Sequence, residues 1–181
     1  MENSNKARDE PEKVQSIAIG EIKPFKDHPF QVNDDELMQQ TIDSIMQVGV
    51  LNPVIIRPDP GGGYEMISGH RRMHAASLAG LDTIPAIVRN LADDEAIILM
   101  VDSNLQRETI LPSERAKAYK MKMDAIKRQA GRPSKNSVQV GQNFDGKTSR
   151  ELIAENSPDS PSQIRRYIRL NELEPELLKM V

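Results

Sequence analysis

The chain has 181 residues, 38% of them hydrophobic and 28% charged, with a formal net charge of -3, a composition that suits one medium or two small globular domains. It contains no cysteine and no tryptophan, which excludes disulfides, thiolate catalysis and cysteine-based zinc sites and leaves the core to Ile, Leu, Met, Val and Ala. No apolar run approaches membrane-spanning length and the N-terminus lacks the apolar centre of a signal peptide, so a cytoplasmic protein is expected.

Residues 1–15 (MENSNKARDEPEKVQ) are polar and mixed in charge, and read as a disordered leader. Ser16–Ile19 alternates and predicts a first strand, followed by an irregular stretch marked by Pro24 and Pro29. Asp34–Val48 predicts a helix: Asn33 suits the N-cap, Asp34, Asp35 and Glu36 suit the positive end of the dipole, and Leu37, Met38, Thr41, Ile42, Ile45 and Met46 form one face. Gly49 ends it as a C-terminal cap. Val54–Arg57 predicts a strand that runs into Pro58, turns over Asp59–Gly63 and returns as Tyr64–Ile67, a hairpin.

Tyr64–Gly80 (YEMISGHRRMHAASLAG) organises the rest. A strand feeds an Ala-rich helix through Ser68 and Gly69, where glycine permits a turn denied to other residues and the first helical N–H groups face outward. Arg71 and Arg72 sit in the first helical turn, where the dipole disfavours cations, so an anionic ligand, phosphate foremost, explains their placement. Arg57, at the end of the preceding strand, can converge on the same anion. Ile84–Arg89 predicts another strand and Asp93–Arg107 a helix with an acidic first turn, so strands and helices alternate in a small mixed α/β structure. Near the end of that helix Asn104 offers an amide and Arg107 a cation, both useful around a triphosphate and its metal.

Pro112 suits the first position of a helix, and Ser113–Ala130 continues as a long basic helix with Ala116, Tyr119, Met123 and Ile126 on its apolar face. Residues 131–147 are rich in glycine and small polar residues and predict a flexible loop, in which Arg132, Lys135 and Lys147 suit a phosphate backbone. In Thr148–Leu170, Thr148 with Glu151 and Ser160 with Gln163 are capping-box pairs, and Pro161 stands at a first helical position. Two short helices joined by a tight turn follow, with Ala154, Ile164 and Ile168 spaced as in a helix-turn-helix. The candidate DNA-facing residues are Thr148, Ser149, Ser160, Ser162, Gln163, Arg165, Arg166 and Arg169. Those early in the second helix reach base edges, Gln suiting adenine and Arg guanine, and later ones hold phosphates. Residues 1–111 hold 10 Lys+Arg against 18 Asp+Glu, a balance of -8, whereas residues 112–181 hold 14 against 9, a balance of +5. The second part is therefore expected to meet a polyanion while the first does something else.

NPVIIR at Asn52–Arg57, ISGHRR at Ile67–Arg72 and SNLQRE at Ser103–Glu108 resemble, in order and spacing, the three nucleotide-binding motifs of the ParB family of partition proteins. The resemblance runs from about Ile17 to the C-terminus. It implies an α+β chain, with a ParB/sulfiredoxin-like nucleotide-binding domain over 16–111 and an all-α DNA-binding domain over 112–181 carrying the helix-turn-helix at 148–170. It further implies CTP with magnesium, a palindromic DNA site, a dimer that closes around DNA when nucleotide is bound, and nucleoid or plasmid association. A ParA-type ATPase partner would engage residues 1–15, where Lys6, Arg8 and Lys13 could serve. The implied nucleotide-binding residues are Arg57, Ser68, Gly69, His70, Arg71, Arg72, Asn104 and Arg107, with Asn104 nearest the metal. The family's further C-terminal dimerisation domain does not occur in this sequence.

Three positions depart from the family pattern. His70 and Ser103 stand where ParB proteins have glutamates, and neither imidazole nor hydroxyl replaces a hard anionic ligand well, so nucleotide hydrolysis is expected to be weak or absent. Asp102 is the nearest substitute, but one residue along a helix turns a side chain by about 100 degrees. Pro158 stands where the family's turn has glycine and cannot adopt a positive φ, so the turn must be rebuilt. Two other readings share these residues. One is a sequence-specific repressor, distinguished by having no reason to slide on closed DNA circles. The other is a ParB-like small-molecule serine kinase acting through Ser68, Gly69, Arg71 and Arg72, which leaves the helix-turn-helix unexplained; sulfiredoxin chemistry is excluded for want of a cysteine.

Overall fold

The computed structural model describes residues 12–106, 110–131 and 147–173, and the chain divides into two units, one of residues 1–26 and 32–90 and the other of residues 27–31 and 91–181. Outside the described residues lie positions 1–11 of the expected leader, Arg107, most of the expected flexible loop with Arg132 and Lys135, and the C-terminal residues from 174 onward. Among the described residues no helix is long and apolar enough to cross a membrane.

In the first unit the elements are β1 (Val14–Ala18), β2 (Ile22–Lys23), α1 (Glu36–Val48), β3 (Val54–Pro58), β4 (Tyr64–Ser68), α2 (His70–Leu78) and β5 (Thr83–Val88). The strands form one mixed sheet in the order β1-β5-β3-β4-β2. The β3–β4 pair is the expected hairpin, antiparallel with Arg57 opposite Glu65, and β3 runs parallel to β5 on its other side. Val54, Ile56, Met66, Ile84 and Ala86 from the strands meet Ala75 and Ala76 of α2 and Met38 and Ile45 of α1. Each fully buried Ile, Val or Met there contributes roughly 1.5–3 kcal/mol relative to exposure.

Three local expectations are corrected. The leader is shorter than 15 residues, because Val14 and Gln15 pair with Ile87 and Ala86 in the sheet and Glu12 accepts a 2.7 Å hydrogen bond from Arg89. The N-cap of α1 is Asp35, whose side chain accepts from the Met38 amide at 2.8 Å, so the helix starts two residues later than Asp34. Leu37 and Met46 do not join its buried face but are 59% and 69% exposed, since only Met38 and Ile45 lie fully on the arc that meets the sheet. Gly49 caps the helix with φ of 73° as expected.

The second unit contains α3 (Asp93–Leu105), α4 (Pro112–Gly131), α5 (Ser149–Glu155) and α6 (Pro161–Leu170). Helix α4 is its axis, packing against each of the other three. Helix α3, expected to close the first domain, falls in this unit, where it packs along α4 and is joined to it by the ion pairs Arg128 with Asp94 at 2.7 Å and Lys122 with Asp102. Lys122 is only 2% exposed. Both predicted capping boxes form, Thr148 with Glu151 and Ser160 with Gln163, and Pro161 stands at the start of α6.

Candidate functional site

In the first unit the turn between β4 and α2 is built around Gly69, at φ 111° and ψ 22°. A Cβ at this position would lie 2.6 Å from Val54 Cγ1, so the chain requires glycine for space as well as for conformation. The first bond of α2 is Met73 N–H to Gly69 O at 2.9 Å, which leaves the amides of Arg71 and Arg72 in the turn that an anion would meet.

Of the four arginines named from sequence, three lie among the described residues and each has a protein partner. Arg71 and Arg72 stand at this turn, whereas the register puts Arg57 opposite Glu65, three residues back along β4 toward the hairpin loop, so Arg57 does not converge on the turn as expected. Arg57 donates through Nε and Nη2 to Glu65 Oε2 at 2.7 and 2.6 Å, the cross-strand pair set by the hairpin register. Arg71 donates to both Asp35 oxygens, at 2.9 and 3.4 Å; this guanidinium, and then the Met38 amide, hold the Asp35 carboxyl below its ordinary value. Arg72 donates from Nη1 to the carbonyls of Asn52 and Pro53, both at 2.7 Å, and its partial burial lowers its pKa. Its partners are neutral, so its charge is the least compensated of the three. It also sits at the turn itself, since a Cβ on Gly69 would be 3.2 Å from Arg72 Nη2. Ser68 is half-buried at the end of β4. His70 is buried and its Nε2 accepts from the Phe25 amide at 3.5 Å.

The third motif lies in the second unit. Asn104 is 3% exposed and donates from Nδ2 to Met100 O at 2.8 Å, which ties its amide nitrogen to its own helix. Ser103 is exposed and donates to the same carbonyl at 3.0 Å. Asp102 does not replace the missing carboxylate, because Lys122 holds it. Arg107 lies outside the described residues. Among the described residues no group of three or more His, Asp or Glu could hold a metal. Imidazole, hydroxyl and buried amide do not fit magnesium, which takes hard oxygen ligands.

The α5–α6 pair, read from sequence as a helix-turn-helix, places its residues unevenly. Ser162, Gln163, Arg165, Arg166 and Arg169 of α6 are all exposed. Gln163 is however committed in part: its Oε1 accepts from the Ser160 amide at 2.9 Å and the Ser160 hydroxyl at 2.8 Å. Bidentate reading of adenine needs that oxygen, so the cap and the base compete for it. Thr148 is likewise engaged, its amide and hydroxyl both donating to Glu151.

A concave surface of about 370 Å³ opens where α4, α5 and α6 meet, lined by Met123, Lys127, Thr148, Ser149, Arg150, Arg165, Ile168 and Arg169. Sequence reasoning named Thr148, Ser149, Arg165 and Arg169 here and missed Lys127 and Arg150. The signal for Lys127 was its place one turn after Met123 on α4. Five other described cations of this unit are paired, Arg115 with Asp159, Lys120 with Asp124, Lys122 with Asp102, Arg128 with Asp94 and Lys147 with Glu155, whereas Lys117 and Arg166 pair with no described carboxylate. Lys127, Arg150, Arg165 and Arg169 form no ion pair with a described carboxylate. Four cations from three helices around one hollow, none in a described ion pair and only Arg150 with a described carboxylate, Glu151, bearing on it, suit a phosphate backbone.

A family model described as the ParB N-terminal domain matches residues 3–105. The chromosome-partitioning protein Spo0J of Thermus thermophilus is 40% identical over 106 residues, 59% of this chain and 39% of that protein. The stage 0 sporulation protein J of Bacillus subtilis is 42% identical over 108 residues, 60% of this chain and 38% of that protein. These alignments thus take in about two-fifths of either relative's length. Among solved structures, the C-terminally truncated chromosome-partitioning protein ParB of Caulobacter crescentus complexed to the centromeric parS site aligns with a TM-score of 0.60. It is 26% identical and covers 92% of this chain and 76% of that one.

Proposed function

The chain belongs to the ParB N-terminal domain family, and from that premise we propose that it is a CTP-dependent DNA-binding protein of chromosome or plasmid partition. The observation that carries the reading is the hollow in the second unit, where Lys127, Arg150, Arg165 and Arg169 stand without a described carboxylate partner beside the exposed face of α6. Lys127, Arg150 and Arg169 hold the phosphates, and Ser162, Arg165 and Arg166, on the exposed face of α6, meet base edges in the major groove. One helix makes few base contacts, so two copies bind an inverted repeat. The Caulobacter relative's complex with parS supports DNA as the partner.

Triphosphate binding is assigned to the first unit. Ser68, the Gly69 turn and the amides of Arg71 and Arg72 receive phosphate oxygens, and Arg72 supplies the charge nearest the turn. The cytosine identity comes from the motif resemblance. Magnesium arrives with the nucleotide, held by phosphate oxygens and water rather than by a protein carboxylate cage. A ParA-type ATPase engages the N-terminal leader.

The test titrates the chain with a parS duplex, a scrambled duplex of the same composition and a random duplex pool, with and without CTP and magnesium. Preferential capture of an inverted repeat, altered by CTP and by no other ribonucleoside triphosphate, is expected. Equal affinity for all duplexes together with no effect of CTP would refute the proposal.

A further inference from the structure

The turn between α5 and α6 contains Pro158 and no residue of positive φ, so a feature other than a left-handed residue must define it. That feature is a closed ring of hydrogen bonds. The Asp159 amide donates to Ser157 Oγ at 3.2 Å, Ser157 Oγ lies 2.5 Å from the Tyr119 oxygen, and the Tyr119 hydroxyl donates to Asp159 Oδ2 at 2.5 Å. A phenol has one proton. With that proton on the carboxylate, the Ser157 hydroxyl donates to tyrosine and every group in the ring is used. Arg115 adds a 2.8 Å bond to the same Oδ2, and its guanidinium lies 5.5 Å from the ring centre of Tyr167 on α6. Tyr119 is fully buried and Asp159 is 8% exposed. Desolvation, then the bond to Asp159, raises the Tyr119 pKa, so the phenol keeps its proton across the working range.

We infer that Asp159, held by Tyr119 and Arg115, is the positioning residue that sets the angle at which α6 is presented, an inference that rests on the DNA-binding reading above. Asp159 directly precedes Ser160, the N-cap of α6. At the far end, Asn171 Nδ2 donates to the Ala116 carbonyl at 2.9 Å, so α6 is pinned to α4 at both ends. A ten-residue helix is about 15 Å long, and a pivot of only about 4 degrees around Asn171 moves its N-terminal end by about 1 Å. Base-edge hydrogen bonds do not survive an error of that size. Long arginine and lysine side chains reaching phosphates do, because they adjust. Loosening the ring therefore removes sequence preference while leaving general DNA affinity in place.

The variant is Tyr119→Phe, which keeps the aromatic volume and deletes the ring-closing hydroxyl. Native and variant chains, both shown folded by circular dichroism, are titrated with an inverted-repeat duplex selected by the native chain and with its scrambled counterpart, across a salt series. The expected result is a fall of about tenfold in the ratio of the two affinities, the size of one lost base contact, with affinity and salt slope on the scrambled duplex unchanged. A parallel loss on both duplexes, or an unchanged ratio, overturns the inference. A second measurement needs no DNA. The chain lacks cysteine, so Lys120→Cys with Arg166→Cys places one spin label on α4 and one on α6. A narrow distance distribution that shifts or broadens on Tyr119→Phe is expected, and an unchanged one overturns the inference whatever the duplexes show. A native chain with no duplex preference but a shifted distance faults the DNA reading and not the positioning.

Discussion

Replacing Gly69 with alanine separates two requirements that the β4–α2 turn places on one residue. The backbone there is at φ 111°, a region that costs a residue with a Cβ roughly 1–3 kcal/mol. The added methyl also meets Val54 Cγ1 at 2.6 Å. Val54 is fully buried in the strand beneath, so relief of the overlap displaces packed atoms, at roughly 1–3 kcal/mol. The sum, roughly 2–6 kcal/mol, is a large fraction of the stability of a small unit, about 5–15 kcal/mol. Val54→Ala alone leaves a small cavity, costing about 2 kcal/mol. In the double variant the overlap is gone and the backbone cost remains, so the two changes together should destabilise by roughly 1–3 kcal/mol less than their sum. Because the chain has two units, a single melting curve does not isolate this effect. Native-state hydrogen exchange of the β3, β4 and β5 amides does. Strict additivity would refute the steric half of the reasoning. An alanine variant as stable as the native chain, binding CTP equally well, would refute both halves.

Steady-state phosphate release from CTP should be well below that of relatives bearing both glutamates, and His70→Glu with Ser103→Glu should raise it; turnover equal to theirs in the native chain speaks against the argument. Gln163→Ala removes the acceptor of the Ser160 cap and should both cost about 0.5–2 kcal/mol of stability and relax sequence preference. Arg169→Ala should instead weaken binding to every duplex and reduce the salt slope by about one phosphate contact. Competition binding on selected and random duplexes separates the two, and parallel losses would mean that α6 is not in the groove. Asp35 is held below 3.8 by Arg71 and the Met38 amide, so its contribution to stability is full above that value and is lost as pH falls through the lower folded value. Unfolding between pH 2 and 6 should show an acid limb that Asp35→Asn flattens; an unaltered limb would show that the pair does not stabilise the first unit.

The local signals that survived into the structure are those in which one residue's own chemistry decides the outcome. Gly69, Gly49, Pro161 and the two capping boxes are where the sequence placed them, because φ restrictions and short side-chain bonds act over three or four residues. What pattern reading missed depends on residues distant in the chain. Nothing local to Lys122 indicates that its ammonium is buried against Asp102, twenty residues earlier. Tyr119 read as part of an apolar stripe, and its hydroxyl acquired a role only when Ser157 and Asp159 came against it. The expected convergence of arginines at the Gly69 turn was half legible. Arg71 and Arg72 do stand at the turn, but the hairpin register carries Arg57 away from it, and Asp35 and Glu65, which take up Arg71 and Arg57, come from a helix N-cap and a cross-strand position that motif spacing does not reveal.

That difference in partnering bears on how the two units meet anions. An anion that recruits Arg57 or Arg71 must displace a carboxylate already in contact, so the energy gained at one end is offset by an ion pair lost at the other. Arg72 gives up two carbonyl bonds, which also tie down the entry to β3, so its recruitment would loosen the strand leading to Val54. On the reading proposed above, triphosphate binding at the Gly69 turn would thus be coupled to rearrangement of Arg71, and its affinity should depend on Asp35 as much as on the guanidinium groups. The hollow between α4, α5 and α6 has no such competition from described carboxylates. Its four cations repel one another until a polyanion arrives, which makes counterion release the main driving term and salt the main control of binding there. Removing Asp35 should therefore tighten CTP binding by freeing Arg71, whereas no single carboxylate substitution in the second unit should tighten general DNA binding comparably.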